Sequence, residues 1–511
     1  MAHVIILGAG HNGLVAGTLL ARAGLEVTIL EEREAVGGAC RTEYPFRCAP
    51  QLGCSTGAYL LGLMPPELVA ELGIDLPLIR RDPHYFLPTT GNRYALFGSD
   101  NAKLRRQFID FFSEEDWRAN EAMNLELGKI RDDLAPSWLA PPYPLEETAE
   151  RFIRPDLRRS FLSLCRGSAR QFLERFGFRS NLLKAMYAVT DAFSGLDGGY
   201  DTPGTGMNLL VHNMCRLPGS DGTWMIVRGG MGAVTSQLAT AARAAGARIR
   251  TSAQVARIEV ERSAVTGALL HSGESIRSDL LLCNADPFRA LSLIDAAHIP
   301  LEYRQALEKL RTDGSTLKVN LCLARLPRFT CLPDNLRPLG ATIHLLPDEN
   351  VVLEELERAY RGMKAGRLPE FPAIEWYLHT AVDSSLQDPQ GRHSGALFVQ
   401  WVPYALKETS WTKEEDRYVA HLLSICDRFA PGTSQLVEET FALTPPKIEA
   451  HFGITRGHIH HVDNKLGFTD RLPYETPIEG LFFCGAGCHP AGSVIGAAGH
   501  NAAKLVLRAL G

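Results

Sequence analysis

At 511 residues the chain is longer than one ordinary hydrophobic core serves, so two domains are the first expectation. A composition of 45% hydrophobic and 22% charged residues is that of a globular protein in water, and a net charge of −5 gives no basis for a nucleic-acid partner. Eleven cysteines without regular close spacing argue against a disulfide framework or a structural zinc site. No run of about 18 apolar residues appears, and the N-terminus "MAHVIILGAG" enters an apolar strand with no basic leader. The expectation is a cytoplasmic protein with reduced thiols.

The stretch "VIILGAGHNGLVAGTLLARAGLEVTILEE" predicts strand, tight turn, helix and strand. Val4 to Leu7 is a short apolar run of the kind a parallel strand buried on both faces carries. Gly8, Gly10 and Gly13 form GxGxxG, followed at once by the helix, with His11 and Asn12 inside the motif. Gly8 allows the sharp turn, Gly10 lets backbone amides approach a pyrophosphate, and Gly13 lets helix and strand pack closely. The N–H groups that open the helix present a positive dipole end to phosphates. The second strand, Val27 to Leu30, ends at Glu31, 18 residues beyond Gly13, where a carboxylate reaches the ribose hydroxyls of an adenosine. The pattern predicts a dinucleotide site.

Past Glu31 the chain reads "EREAVGGACRT", with Glu32, Arg33, Gly37, Gly38, Arg41 and Thr42. This resembles the second cofactor signature of the flavoprotein superfamily of amine oxidases and phytoene desaturases. The resemblance implies FAD, with the glycine pair against the diphosphate and Arg33 by the adenosine. Cys40 and Cys48 in the same stretch raise another reading, a redox dithiol served by Arg41 and Arg47. Seven residues and Pro45 separate them, so one helix cannot present both sulfurs. The second GxGxxG that a disulfide reductase needs for NAD(P)H is also missing.

Three later segments extend the likeness. "WMIVRGGMGAVTSQLATAARAAGARIRTSAQVARIEV" predicts a helix from Gly232 to about Ala245, stopped by Gly246, and a strand from Val255 to Val260. In the family, the backbone at the Val255 position touches the adenine. "ALLHSGESIRSDLLLCNADP" predicts a hairpin near Ser272-Gly273 and a buried strand, Asp279 to Cys283, leading to Asn284-Ala285-Asp286-Pro287, a tetrapeptide that desaturase-like proteins share. Asp286 reads as a helix cap. "TPIEGLFFCGAGCHPAGSVIGAAGHNAAKLVLRAL" resembles the flavin-closing motif of desaturases and carotenoid ketolases. The likeness places Gly485, Val494 and Ile495 along the flavin and a helix N-terminus at the flavin ring, where its dipole favours the reduced anion. Cys488 stands for a usual threonine and Ala491 for a usual glycine.

Between these segments lie two insertions. The expected division is an FAD-binding domain of residues 1–84, 223–299 and 466–511, of Rossmann-type α/β fold. A substrate domain of mixed sheet and helices, residues 85–222 and 300–465, completes it. Residues 151–184 carry nine Lys/Arg against Asp156 and Glu174, a local charge of +7, interleaved with phenylalanines. Such a run is either a contact for anionic membrane headgroups or a solvated helix face with its aromatics in the core. "STLKVNLCLARLP" predicts an alternating strand. "RGHIHHVD" puts His458 and His460 on one face of a strand and His461 on the other, without a further ligand set, so structural histidines or, as the resemblance implies, cavity-lining ones are expected and no metal.

The resemblance implies an FAD-dependent oxidoreductase, its FAD held without a covalent bond, that removes hydride from a C–H or C–N bond of a hydrophobic small molecule. O2 or a quinone-like compound is the expected electron acceptor. His489, His460 and His461 are the candidate catalytic side chains. A flavin-dependent isomerase or ketolase of a carotenoid-like substrate carries the same cofactor motifs, and a flavin-free binding protein on this fold is the third reading.

Overall fold

The computed structural model describes residues 2–334 and 336–510. Strand β1 (His3–Leu7) is apolar on both faces because it is central. It pairs in parallel with β2 (Glu26–Leu30) on one side and with Leu280–Cys283 on the other. Leu481–Phe483 and Arg248–Arg250 complete a five-stranded, all-parallel sheet. Leu7 is in register with both Leu30 and Cys283, so three carboxyl ends finish level and open a crevice at one edge. Helix α1 (His11–Arg22) is buried from Asn12 to Ala21 and packs against the helices Gly232–Ala244 and Ala497–Leu510. Gly246, at φ +98°, ends the first of these, where a side chain would be strained. Val255–Glu261, Ala264–Leu270 and Ser275–Arg277 form a small antiparallel sheet beside it.

A second sheet has seven strands in the order Val437–Leu443, Thr316–Leu323, His393–Gln400, Ala373–Tyr377, Thr342–Leu345, Tyr85–Pro88, Tyr94–Phe97. Every strand is antiparallel to its neighbours except Thr342–Leu345 against Tyr85–Pro88. Thr316–Leu323 alternates in chemistry, but it is buried along its whole length. Leu317, Val319, Leu321 and Leu323 enter an apolar core, while Lys318, Asn320 and Cys322 are covered by other parts of the chain.

Helices between residues 101 and 212 supply a separate apolar core. The longest, Glu114–Leu134, starts where Ser113 accepts the Asp116 N–H. In the basic tract, Phe161, Phe172 and Phe178 are buried in this core. Its arginines meet acids from outside the tract: Arg151 with Glu147, Arg154 with Asp133, Arg166 with Glu146, Arg170 with Asp201 and Arg175 with Glu126. Five of the nine positive charges of the tract are therefore answered by acids elsewhere in the fold. No helix among the described residues is long and apolar enough to cross a membrane.

Candidate functional site

The crevice continues into one cavity of about 420 Å³, within the range of small-molecule sites. It runs from the carboxyl ends of the parallel sheet to the face of the seven-stranded sheet. At the first end, Gly8 turns the chain at φ +95° and donates its N–H to the Leu30 carbonyl at 2.8 Å. Glu31 is buried, and its two oxygens accept the N–H groups of Ala9 (2.9 Å) and Arg33 (3.0 Å), tying the turn to the end of β2. Burial raises the Glu31 pKa, and these two N–H groups oppose that rise. The Gly37 N–H reaches the Ala9 carbonyl at 2.9 Å, so the double glycine lies along the GxGxxG turn.

Gly10 has no room for a side chain, since a Cβ there would stand 2.8 Å from Asn284 Nδ2. Gly13 has less, with Gly8 O at 2.3 Å from that position. The wall at this end is consequently bare backbone. Three buried polar atoms on it, His11 Nε2, Asn12 Oδ1 and Arg41 Nε, have no hydrogen-bond partner among the described residues. Orphaned groups of this kind need a polar occupant. A backbone cradle at a helix N-terminus, a buried carboxylate and unanswered donors and acceptors fit a dinucleotide cofactor such as FAD. Gly8, Gly10, His11, Asn12, Glu31, Glu32, Arg33, Gly37, Gly38, Arg41, Val255, Asn284 and Val494 all border the cavity, as do His460 and His461.

Four predicted residues do not. Gly13 acts from behind the turn, and Gly485 packs where a Cβ would stand 2.9 Å from the Asn284 carbonyl. Ile495, unlike its neighbour Val494, is turned into the helical core. His489 is absent from the wall: its Nε2 meets the Ser137 carbonyl at 3.0 Å and its ring stands edge-on to Phe468 at 5.0 Å. Burial pushes its pKa down to about 4, so it is a neutral ring in a packed interior. His489 therefore packs behind the cavity wall rather than on it.

The "RGHIHHVD" segment is not a strand but a turn opened by the 3₁₀ turn Thr455–Gly457, so the alternation of its histidines has no sheet behind it. The His460 ring meets the Ser194 carbonyl at 2.8 Å, and burial, with His458 adding to it, takes its pKa to about 3. His461, at φ +62°, turns its Nδ1 toward Asp286 Oδ2 at 3.4 Å. Asp286 also caps the helix Pro287–Ser292 through the N–H groups of Phe288 and Arg289. Burial opposes ionisation of Asp286, yet His461, Thr455 and the Arg289 N–H hold its carboxyl below the usual range.

Cys40 and Cys48 are not brought together as a pair. Cys40 donates to the Met231 carbonyl, and burial raises its thiol to about 12. Cys48 is exposed and its Sγ lies 3.7 Å from that of Cys322. Among the described residues, Cys48, Cys322 and Glu438 are close enough to share a metal ion, and none of them borders the cavity.

The far end of the cavity holds groups that the motifs do not announce. Strand register sets Lys318, Phe398, Glu375 and His344 side by side across four strands. Lys318 Nζ donates to the carbonyls of Ser55 (2.5 Å) and Gly57 (2.6 Å) and sits 4.4 Å over the Tyr59 ring. Burial lowers its pKa from 10.5 to about 7. Glu375 Oε2 accepts the Tyr377 hydroxyl at 2.7 Å, and Oε1 faces His344 Nε2 at 3.6 Å. Burial works against its charge, but His344, Tyr377 and Thr190 hold it ionised. One signal in the sequence could have found these two: Lys in "STLKVNLCL" and Glu in "AIEWY" are each the one charged residue of a strand.

Such an arrangement defines an α/β protein whose glycine-rich turn, of the kind that cradles a dinucleotide, opens into a partly polar cavity. The family described as flavin containing amine oxidoreductase matches residues 13–343. Pyridine nucleotide-disulfide oxidoreductase domain-containing protein 2 of Mus musculus is 32% identical, over 99% of this chain and 93% of the mouse protein. Phytoene desaturase of Neurospora crassa is 22% identical, over 96% of this chain and 82% of its own. The structure of wild-type putrescine oxidase bound to putrescine superposes with a TM-score of 0.58 at 17% identity, over 100% of this chain and 98% of that one. The chain belongs to the flavin-containing amine oxidoreductase family, and it is an FAD-dependent oxidoreductase acting on a small molecule.

One consequence concerns Glu31. With both oxygens committed to the turn, Glu31→Ala is expected to loosen the cradle as well as to remove a hydrogen-bond acceptor for the ribose. The loss is on the order of 1.5–3 kcal/mol, or about 10- to 150-fold in flavin affinity. Flavin retained through dilution and gel filtration reads it; stoichiometric retention would remove Glu31 from the site.

Proposed function

We propose that this enzyme oxidises an organic substrate of largely apolar body at a C–H or C–N bond, using FAD held without a covalent link. When bound, FAD supplies the two-electron acceptor. The residues that would hold it are the glycines of the cradle with Glu31, His11, Asn12 and Arg41. The observation that carries the reading is the single cavity joining that cradle to the seven-stranded sheet. Leu60, Phe398, Ile459 and Trp224 line the far part, so water is kept from a substrate seated there. The buried Cys488 does not border the cavity, which supports the non-covalent attachment. The catalytic role is carried to Lys318 and Glu375 more readily than to His489, because they face the chamber and can hold or pass a proton. His460 and His461 border the same chamber as walls of neutral and carboxylate-paired rings.

The test is anaerobic titration of the purified protein against amines and lipophilic compounds, followed by O2 or a quinone. The oxidised flavin absorbance is expected to bleach with two electrons per chain, equally in Cys40→Ser and Cys48→Ser, and to return with the acceptor. Acid precipitation should leave the colour in the supernatant. Substrate turnover with no net electron transfer to any acceptor points instead to the isomerase reading. A four-electron uptake lost in either serine variant restores the dithiol.

A further inference from the structure

Two arginines of this protein are buried, and they are treated differently. Arg471 has its guanidinium surrounded by the carbonyl oxygens of Val462, Asp463, Ala486 and Cys488 and by Asn464 Oδ1, which occupy all five of its N–H groups. Arg81 is 2% exposed and borders the cavity. Its Nε donates to the Trp224 carbonyl at 2.9 Å and its Nη1 to the Thr342 hydroxyl at 2.6 Å. Among the described residues no other acceptor meets it, and no carboxylate lies within ion-pairing distance. Three N–H groups of a cation that borders the chamber are left without a partner among the described residues. Glu375, a charged neighbour, is already engaged by Tyr377 and His344. A buried guanidinium with no carboxylate in ion-pairing contact is costly unless a ligand supplies one.

Building on the oxidoreductase reading above, we propose that Arg81 receives a carboxylate of the substrate, so that the compound oxidised is an organic acid with an apolar body. The planar fork of Arg81 presents adjacent N–H groups that match the two oxygens of a carboxylate. Beside it, Leu60, Phe398, Trp224 and Ile459 offer apolar surface for the rest of the molecule. The head is thereby held at one end of the chamber and the body extends along it.

Three probes with one body and different heads test this on the FAD-loaded enzyme: 3-phenylpropionate, 3-phenylpropanol and 3-phenylpropylamine. Binding is read from the change in bound-flavin absorbance and, separately, from the shift in Tm. The acid is expected to bind at least tenfold more tightly than the alcohol, with the amine no better than the alcohol. Arg81→Gln should abolish the preference, and Arg81→Lys should keep part of it, since it retains the charge without the fork. If Arg81→Gln does not fold, the wild-type ranking and the lysine variant decide. Preference for the amine would assign head-group reading to Glu375 and overturn the proposal. Equal binding of the three, no binding of any, or an unchanged preference in the glutamine variant would also overturn it. The two readings fail separately: an enzyme that ranks the acid first while no compound bleaches its flavin keeps the carboxylate site and loses the proposed oxidation. One whose flavin is bleached by neutral compounds without acid preference does the reverse.

Discussion

Gly13→Ala is expected to strip the protein of flavin. The added methyl would stand 2.3 Å from the Gly8 carbonyl oxygen and 3.0 Å from Asn284 Cβ, so something must move. The turn cannot yield, because the Gly8, Ala9 and Gly37 N–H groups are bonded to Leu30, Glu31 and Ala9. Helix α1 cannot retreat either: its Asn12 carbonyl lies 2.0 Å from where a Cβ on Gly499 would be, so the terminal helix already touches it from behind. Overpacking of this kind costs about 1–3 kcal/mol or more, and here the distortion falls on the cradle itself. Flavin affinity should fall about tenfold or more, given about tenfold per 1.4 kcal/mol, and the ratio of flavin to protein absorbance should drop on dilution where that of wild type holds. Gly24→Ala is the control. Gly24 has φ +89° but nothing within 4 Å of its Cβ position, so that variant bears only the left-handed strain of about 1 kcal/mol and keeps its flavin. Full occupancy in Gly13→Ala would show that the GxGxxG turn is not where the cofactor rests.

The second large effect is on the pH dependence of stability, through Lys318. Burial takes its pKa from 10.5 to about 7, with Cys54 and Glu43 opposing. Below pH 7 the side chain is charged in both folded and unfolded states, and the penalty for burying that charge is fully present. Between pH 7 and 10.5 the unfolded chain binds the extra proton, so stability rises with pH across that window. The rise is bounded at about 5 kcal/mol for one group. Lys318→Met fits among Tyr59, Phe398 and Leu443 and has nothing to titrate. Urea unfolding of wild type and variant from pH 7 to pH 10 should therefore diverge, with wild type gaining relative to Lys318→Met. Parallel curves would mean that Lys318 stays charged or is hydrated in the folded protein.

The cofactor end of the site was legible because its chemistry is local. Gly8, Gly10, Gly13 and Glu31 sit within one βαβ unit, and a turn that must bring backbone to a phosphate leaves glycines at set intervals. "EREAVGGACRT" is legible for the same reason: Gly37 at φ +123° and Gly38 at φ +58° take backbone conformations that few other residues adopt. The histidine tract misled because alternation along a chain says nothing unless a neighbouring strand holds it, and no strand holds 456–463.

By itself, then, the sequence determined the first βαβ unit and the position of its GxGxxG turn, which rest on spacing within a few tens of residues, and its motifs carried the resemblance to flavoproteins. Only the tertiary structure decided the substrate end. Lys318, Glu375 and His344 stand in one row because four strands separated by up to about eighty residues align in register. Arg81 joins them through Trp224 and Thr342, more than a hundred residues away. His489 lies a few residues from the flavin-closing glycines, yet packing against Phe468 and Ser137 turns it away. Which side chain faces a chamber depends on long-range register and on what fills the space behind it, and neither is written in the local pattern.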